Sequence, residues 1–255
     1  EAIKFPELRK NEKQIRFFSP SFDCIAFDWP GFGMSTTKKP EQLTLDFYTR
    51  CLHEMLNLLN IEKCMIVGNC IGASVALNYK QQYPDRILKL ILFNLCPGRR
   101  IFDSSFVALT IRNISDNKLF RTWCTSIMTK LLTRRPLKNK SPRVLFGNTF
   151  YASDPLVQLY IERFKSPALA RSRALLLFAV DSYTLSHFLK PQLATENIYL
   201  FWGTENKVTG FEKDGHYHQQ LIGLDKIYAV ENSGHVCMYE SAETVNTQLQ
   251  EICCG

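Results

Sequence analysis

Gly68-Asn69-Cys70-Ile71-Gly72 sets a thiol between two glycines. Cys64 to Val67 reads as a short strand before it and Ala73 to Tyr83 as an amphipathic helix after it, so the segment has the G-x-nucleophile-x-G form of a strand-to-helix elbow. A nucleophile on so sharp a turn needs neighbours without bulky side chains, because the strand must pass close to the helix for the thiol to project from the carboxyl edge of a sheet. At the helix N-terminus, the dipole and unpaired backbone N–H groups favour a thiolate, and the Ile71 N–H points at a developing oxyanion. Near the C-terminus, Glu231-Asn232-Ser233-Gly234-His235 follows a strand, which places His235 on the same sheet edge. There it can act as general base toward Cys70 and then as general acid toward a leaving group. Taken singly, such a cysteine is a small buried thiol in a turn and such a histidine is a structural residue. The chain order of nucleophile, long insertion and histidine favours chemistry.

The elements that must position these residues alternate. Asp23 to Phe27 is a short strand candidate ending in the turn-rich Asp28-Trp29-Pro30-Gly31-Phe32-Gly33. Leu45, Tyr48, Leu52, Met55, Leu56 and Leu59 recur at helical spacing, and Ile87 to Phe93 is apolar enough for a strand covered on both faces, which implies a parallel sheet. The rhythm breaks between about Pro97 and Thr195, where helix-like runs are punctuated by prolines, and strands resume at Ile198 to Trp202 and Lys226 to Val230 before a closing helix from Ser241 to Ile252. The expected organisation is a first core part at 1–96, a helical cap at 97–195 and a second core part at 196–255.

The 255 residues are 45% hydrophobic and 22% charged, which excludes disordered, collagenous and coiled-coil classes. Nine cysteines without the spacing of a secreted disulfide framework point to a reducing compartment, cytoplasmic or organellar matrix, and away from secretion. No apolar run approaches the roughly 18 to 20 residues of a membrane span. His216-Tyr217-His218 lacks companions at zinc spacing and reads as a solvated loop, so no metal and no cofactor is expected. Cys253-Cys254-Gly255 reads as an exposed tail.

These motifs together resemble the α/β-hydrolase fold superfamily, in particular its capped epoxide-hydrolase and carbon–carbon-hydrolase group. Phe27-Asp28-Trp29-Pro30-Gly31-Phe32-Gly33-Met34-Ser35 is similar to the family's D-x-P-G-x-G-x-S turn, Ile66 to Ala73 to its elbow, Tyr83 to Ile87 to the link into the next strand, Leu200 to Gly203 to the strand before the acid loop, and Ser233-Gly234-His235 with Glu240 and Val245 to its catalytic-histidine segment. The resemblance covers nearly the whole chain and implies an α/β fold with a mostly parallel sheet and an inserted helical cap. The chain departs from the pattern in three places. Cys70 stands where the family places Ser or Asp, which resembles dienelactone hydrolases and polyhydroxyalkanoate synthases and implies acyl transfer through a thioester. The acid slot holds Asn206, and the alternative slot after Ile87 to Phe93 holds Asn94; an amide can still orient a histidine beside a thiolate. Glu205 is one residue off register, so Asn206 ranks above Glu205 and both above Asn94. The third departure is an absence: residues 1 to 27 contain no His-Gly pair, and Pro6 to Phe17 is similar to the helix that follows that pair, so the first strands, and with them a second oxyanion donor, are expected to be missing from a chain that begins at Glu1. Losing one donor is an effect of about 2.7 to 4 kcal/mol on the transition state.

Two readings follow. In the leading one an ester or thioester hydrolase, or an acyltransferase, uses Cys70, His235 and Asn206 through an acyl-Cys intermediate. In the alternative, the replaced acid slots and absent His-Gly mark an inactive fold serving as a binding or scaffold subunit. Charge bears on the partner. The net +7 is uneven: residues 97–195 carry 16 Lys+Arg against 5 Asp+Glu, leaving 15 against 19 elsewhere. Arg99, Arg100, Arg134 and Arg135 on the cap are candidate anion-binding residues for coenzyme A, an acyl carrier protein or an acidic protein, and no nucleic-acid partner is expected.

Overall fold

The computed structural model describes residues 11–33, 35, 43–102, 123–127, 129–130, 142–147, 154, 158, 171–172, 175–176 and 179–254. Helix α1 (Glu12–Phe18) is followed by α2 (Leu45–Leu58), β1 (Cys64–Asn69), α3 (Ile71–Gln82) and β2 (Ile87–Phe93), and after the insertion by α4 (Leu185–Phe188), β3 (Ile198–Gly203), α5 (His216–Ile222), β4 (Ile227–Val230), α6 (Cys237–Glu240) and α7 (Ala242–Cys254). The four strands pair in parallel in the order β1-β2-β3-β4. This is an α/β-hydrolase fold, and its carboxyl edge gathers the loops after every strand.

Period-two alternation builds the two cores. Leu90 and Leu92 of β2 with Leu200 and Trp202 of β3 face α2 and α3, while Ile91, Phe93, Phe201 and Val230 face α6 and α7 with Met238, Val245 and Leu249. Helix α2 starts on Thr44, whose hydroxyl accepts the Phe47 N–H at 3.3 Å, and buries Leu45, Tyr48, Leu52 and Leu56. Helix α3 departs from the amphipathic reading, because every residue from Ala73 to Lys80 is buried. It is sandwiched between the sheet and α2, which leaves it no solvated face.

Two other expectations are corrected. Residues 23–27 join no sheet, with Ile25 55% exposed. Among the described residues β1 is the edge strand on that side, and the segment does not pair with it. His216-Tyr217-His218 is not a solvated loop but the first turn of α5, reached through a π-helical turn at Phe211–Gly215. His218 is 0% exposed, stacks on Trp202 at 5.6 Å, and has no hydrogen-bond partner on either ring nitrogen. Of the insertion, the described parts are short helical pieces, Gly98–Phe102, Pro142–Leu145, Val180–Tyr183 and α4.

Burial lowers the pKa of His218 to about 4. The unfolded chain, with an ordinary histidine, therefore binds this proton first, and stability present above about pH 6.5 is lost as the pH falls toward 4. The loss approaches about 3 kcal/mol at the acid end of that window. His218→Phe, which keeps the stack on Trp202, should flatten this dependence; urea unfolding midpoints of both proteins at pH 7 and pH 4.5 measure it, and parallel declines would refute the assignment.

Candidate active site

Cys70 sits between β1 and α3 with φ 54° and ψ −112°, a backbone conformation that costs about 1 to 3 kcal/mol in a residue with a side chain. Its N–H donates to the Phe93 carbonyl at 2.9 Å, continuing the β1–β2 ladder, and its carbonyl accepts the Ser74 N–H at 3.1 Å, opening α3. Gly68 makes the turn sterically possible: a Cβ there would lie 2.5 Å from the Gly72 carbonyl oxygen. The elbow read from the sequence is thus formed, with Cys70 half-buried at the sheet edge.

His235 reaches Cys70 from the loop after β4. The groups that act on the Cys70 thiol are His235, the Ile71 N–H and one absent from the sequence reading, the Cys96 thiol. These contacts hold Cys70 well below the ordinary thiol range; the Cys96 hydrogen bond is the largest cause, burial opposes it, and His235 and Ile71 add to it. Cys96 is pushed well above that range by the same bond and by burial, so it remains the proton donor.

Asn206 occupies the orienting position, its Nδ2 lying 3.1 Å from His235 Nδ1. Which end of the amide faces the ring is settled by the backbone. Asn206 Oδ1 accepts the N–H groups of Val208 at 2.9 Å and Thr209 at 3.1 Å, so Nδ2 is the end left for the histidine. The amide donates to Nδ1, whereas a carboxylate would accept from it. Nδ2 also lies 2.9 Å from Asn94 Oδ1 and 2.7 Å from Thr209 Oγ1, and because it can only donate, the neutral His235 ring carries its proton on Nε2.

The other acid candidates do not reach the ring. Asn94, at φ 45°, accepts from Gly203 N at 3.0 Å and from Asn206 Nδ2 at 2.9 Å, and donates to the His235 carbonyl at 3.1 Å. Glu205 bonds through its backbone to Ser233 O at 2.9 Å, with its carboxylate toward Gly147. Glu240 has a positioning role: Oε2 accepts Gly147 N–H at 2.7 Å and Oε1 accepts Gly234 N–H at 2.9 Å, while His235 N–H donates to Leu145 O at 2.8 Å. The insertion thus grips the histidine loop through residues 145–147.

Of the cap arginines, Arg99 pairs with Asp181 at 3.5 Å, and Arg100 pairs with Asp214 at 3.3 Å and covers the Tyr217 ring. Both cations are compensated, so neither presents the free positive charge expected of an anion dock. Arg134 and Arg135 lie outside the described residues, as do residues 1–10 of the N-terminal segment. Among the described residues no three His, Cys, Asp or Glu side chains gather to hold a metal, and no helix is long and apolar enough to cross a membrane. Cys96 was discoverable in principle: adjacent parallel strands bring the loops after β1 and β2 to one place.

A strained elbow between strand and helix, a histidine after the last strand and a parallel sheet interrupted by an insertion are the features of the α/β-hydrolase class of protein. Comparison with known proteins agrees: the profile of the alpha/beta hydrolase fold matches residues 5–242, and the chain belongs to that family. It is 33% identical over 253 residues to a 2-hydroxy-6-oxononadienedioate/2-hydroxy-6-oxononatrienedioate hydrolase of Paraburkholderia phymatum, covering 91% of this chain and 77% of that protein. The hydrolase of the same name from Comamonas testosteroni is 35% identical over 98 residues, 38% of this chain, and the match spans 33% of that relative's length. A thermophilic esterase from Thermogutta terrifontis shares the fold with a TM-score of 0.74 at 19% identity, over 97% of this chain and 86% of the other.

Removing the Cys96 hydrogen bond should raise the Cys70 pKa. In Cys96→Ala, peptide-resolved iodoacetamide labelling of Cys70 is expected to need higher pH than in the wild type; an unmoved midpoint would show that Cys96 does not stabilise the thiolate.

Proposed function

We propose that this protein is an acyl-transfer enzyme that forms an acyl-Cys70 thioester from a small ester or thioester. The observation that carries the reading is the series of Cys70 at the strained elbow, His235 beside it after the last strand, and Asn206 Nδ2 at 3.1 Å from His235 Nδ1. The Cys70 thiolate attacks the carbonyl carbon, and the Ile71 N–H follows the charge to the oxyanion. Collapse of the tetrahedral adduct breaks the bond to the leaving group, and water or a second nucleophile then releases the acyl group.

The amide at Nδ1 bears on the substrate. A leaving group that departs as a stable anion needs no proton from His235, so it suits a site whose histidine lacks a carboxylate partner better than an alkoxide does. A thioester meets that condition. The family's own chemistry at carbonyl carbon, an esterase among the structural relatives, is consistent with this class. The connected series also favours catalysis over the alternative of an inactive binding subunit.

Incubation with a short acyl thioester followed by intact-protein mass spectrometry should show one acyl adduct, absent in Cys70→Ala. Cys70→Ser should lose about 10²- to 10⁴-fold in turnover, the scale of a missing general base. Asn206→Asp, which puts an acceptor on Nδ1, should recover part of that loss when combined with Cys70→Ser. No adduct in the wild type, or full activity in Cys70→Ser, would refute the mechanism.

A further inference from the structure

His218 is a buried titratable group that the acyl chemistry does not use. Its ring lies 5.6 Å from that of Trp202 in a stack inclined by 25°, and among the described residues neither of its nitrogens has a hydrogen-bond partner. A residue needed only to fill that space would do so better as phenylalanine, because a buried polar group left unsatisfied destabilises the fold. The ring it backs leads to the active site. Trp202 Nε1–H donates to the Thr209 carbonyl at 2.9 Å. Thr209 in turn holds the Asn206 amide at both ends: its N–H donates to Oδ1 at 3.1 Å, and its Oγ1 accepts from Nδ2 at 2.7 Å, the same Nδ2 that lies 3.1 Å from His235 Nδ1. His218, Trp202, Thr209 and Asn206 are all buried, so water does not compete for these contacts. Gly215 lets α5 approach β3 this closely, since a Cβ there would meet the Trp202 ring at 3.3 Å.

We propose that His218 is a positioning residue for this site and makes it respond to protons: the neutral imidazole backs Trp202 against Thr209 and so keeps the Asn206 amide on His235 Nδ1, and a proton taken up by His218 releases that hold. An imidazolium cannot stay where the neutral ring lies, because burial without an acceptor penalises the charge. The charged groups that face it are Asp214 of the π-helical turn and Arg100 of the insertion. These two are already paired at 3.3 Å, and Asp214 Oδ2 also accepts the Gly210 N–H at 3.1 Å. Tyr217 is the titratable neighbour on the same helix, edge-on at 5.4 Å, while β3 presents the uncharged Trp202 ring; Glu212 and His216 pair with each other at 3.6 Å on the exposed side. The protonated side chain therefore leaves the Trp202 face for water. Trp202 loses the surface on which it is stacked, and its bond to Thr209 and the grip of Thr209 on the Asn206 amide loosen in turn. Burial pushes the His218 pKa down to about 4, so the hold is complete at neutral pH and is lost as the pH falls toward that value. The inference rests on the place of Asn206 at His235, as the proposed function does, but on none of its acyl steps.

The test follows the intact, nitrogen-15-labelled chain by NMR from about pH 7 to about pH 4, with circular dichroism to record that it stays folded. The His218 ring, the Asn206 side-chain NH₂ and the backbone N–H groups of Val208 and Thr209 should shift together with one shared midpoint. In His218→Phe, which keeps the stack, the signals of Asn206, Val208 and Thr209 should hold their wild-type positions at neutral pH and lose that transition on acidification. In Trp202→Phe, which removes the Nε1–H, the His218 ring should still titrate while Asn206 no longer follows it. The proposal is overturned if His218 titrates without moving the Asn206 NH₂, if the shared transition survives either substitution, or if the whole chain unfolds before His218 takes up its proton. Where a variant does not fold, the wild-type titration decides by itself. An acyl adduct on a chain whose Asn206 ignores His218 overturns this inference alone, and a shared transition in a chain that forms no adduct overturns the acyl-transfer reading alone.

Discussion

Two backbone N–H groups, those of Val208 and Thr209, decide the chemistry available to this site. By occupying Asn206 Oδ1 they turn the amide nitrogen toward His235, so a donor stands opposite Nδ1 where a carboxylate would supply an acceptor. In the proposed reading a hydroxyl nucleophile would lack the base it needs there. A thiol held below its ordinary pKa range would not need that base. Cys70 and Asn206 are therefore matched residues, and each departure from the family pattern makes sense of the other.

That proton arrangement holds only because its parts cannot move independently. Asn94 joins the ends of β1, β2 and β3 to the histidine loop through bonds to Asn69, Gly203, Asn206 and the His235 carbonyl. Each of these groups is shielded from water, and stranding one of them costs about 1 to 3 kcal/mol. The apolar layers of β2 and β3 beneath them, with Leu92, Phe93, Phe201 and Trp202 wholly buried, supply the rigid floor against which the strained Cys70 backbone is held.

The sheet was legible because its signals are local: β2 occupies the predicted Ile87–Phe93, and β1, β3 and β4 end within two residues of their predicted limits. The elbow was legible for the same reason, since Gly68 marks a turn no bulkier residue permits. The segment at 23–27 misled because a strand's composition says nothing about whether an edge is free to receive it. His218 misled because a polar residue was read as solvated without knowledge of the Trp202 ring that covers it. The direction of the Asn206 amide and the approach of Cys96 depend on contacts between segments far apart in sequence, which no local pattern encodes.

The grip of residues 145–147 on the histidine loop has a consequence for how such a protein changes over time. The polar part of the grip uses main-chain atoms, Leu145 O and Gly147 N–H, while Leu145 and Phe146 pack on the core beside Val236. A replacement insertion that delivered the same two backbone positions and an apolar pair to that core would keep the histidine loop in place. The fold thereby separates what anchors the histidine loop from the rest of the insertion, and leaves the latter free to drift.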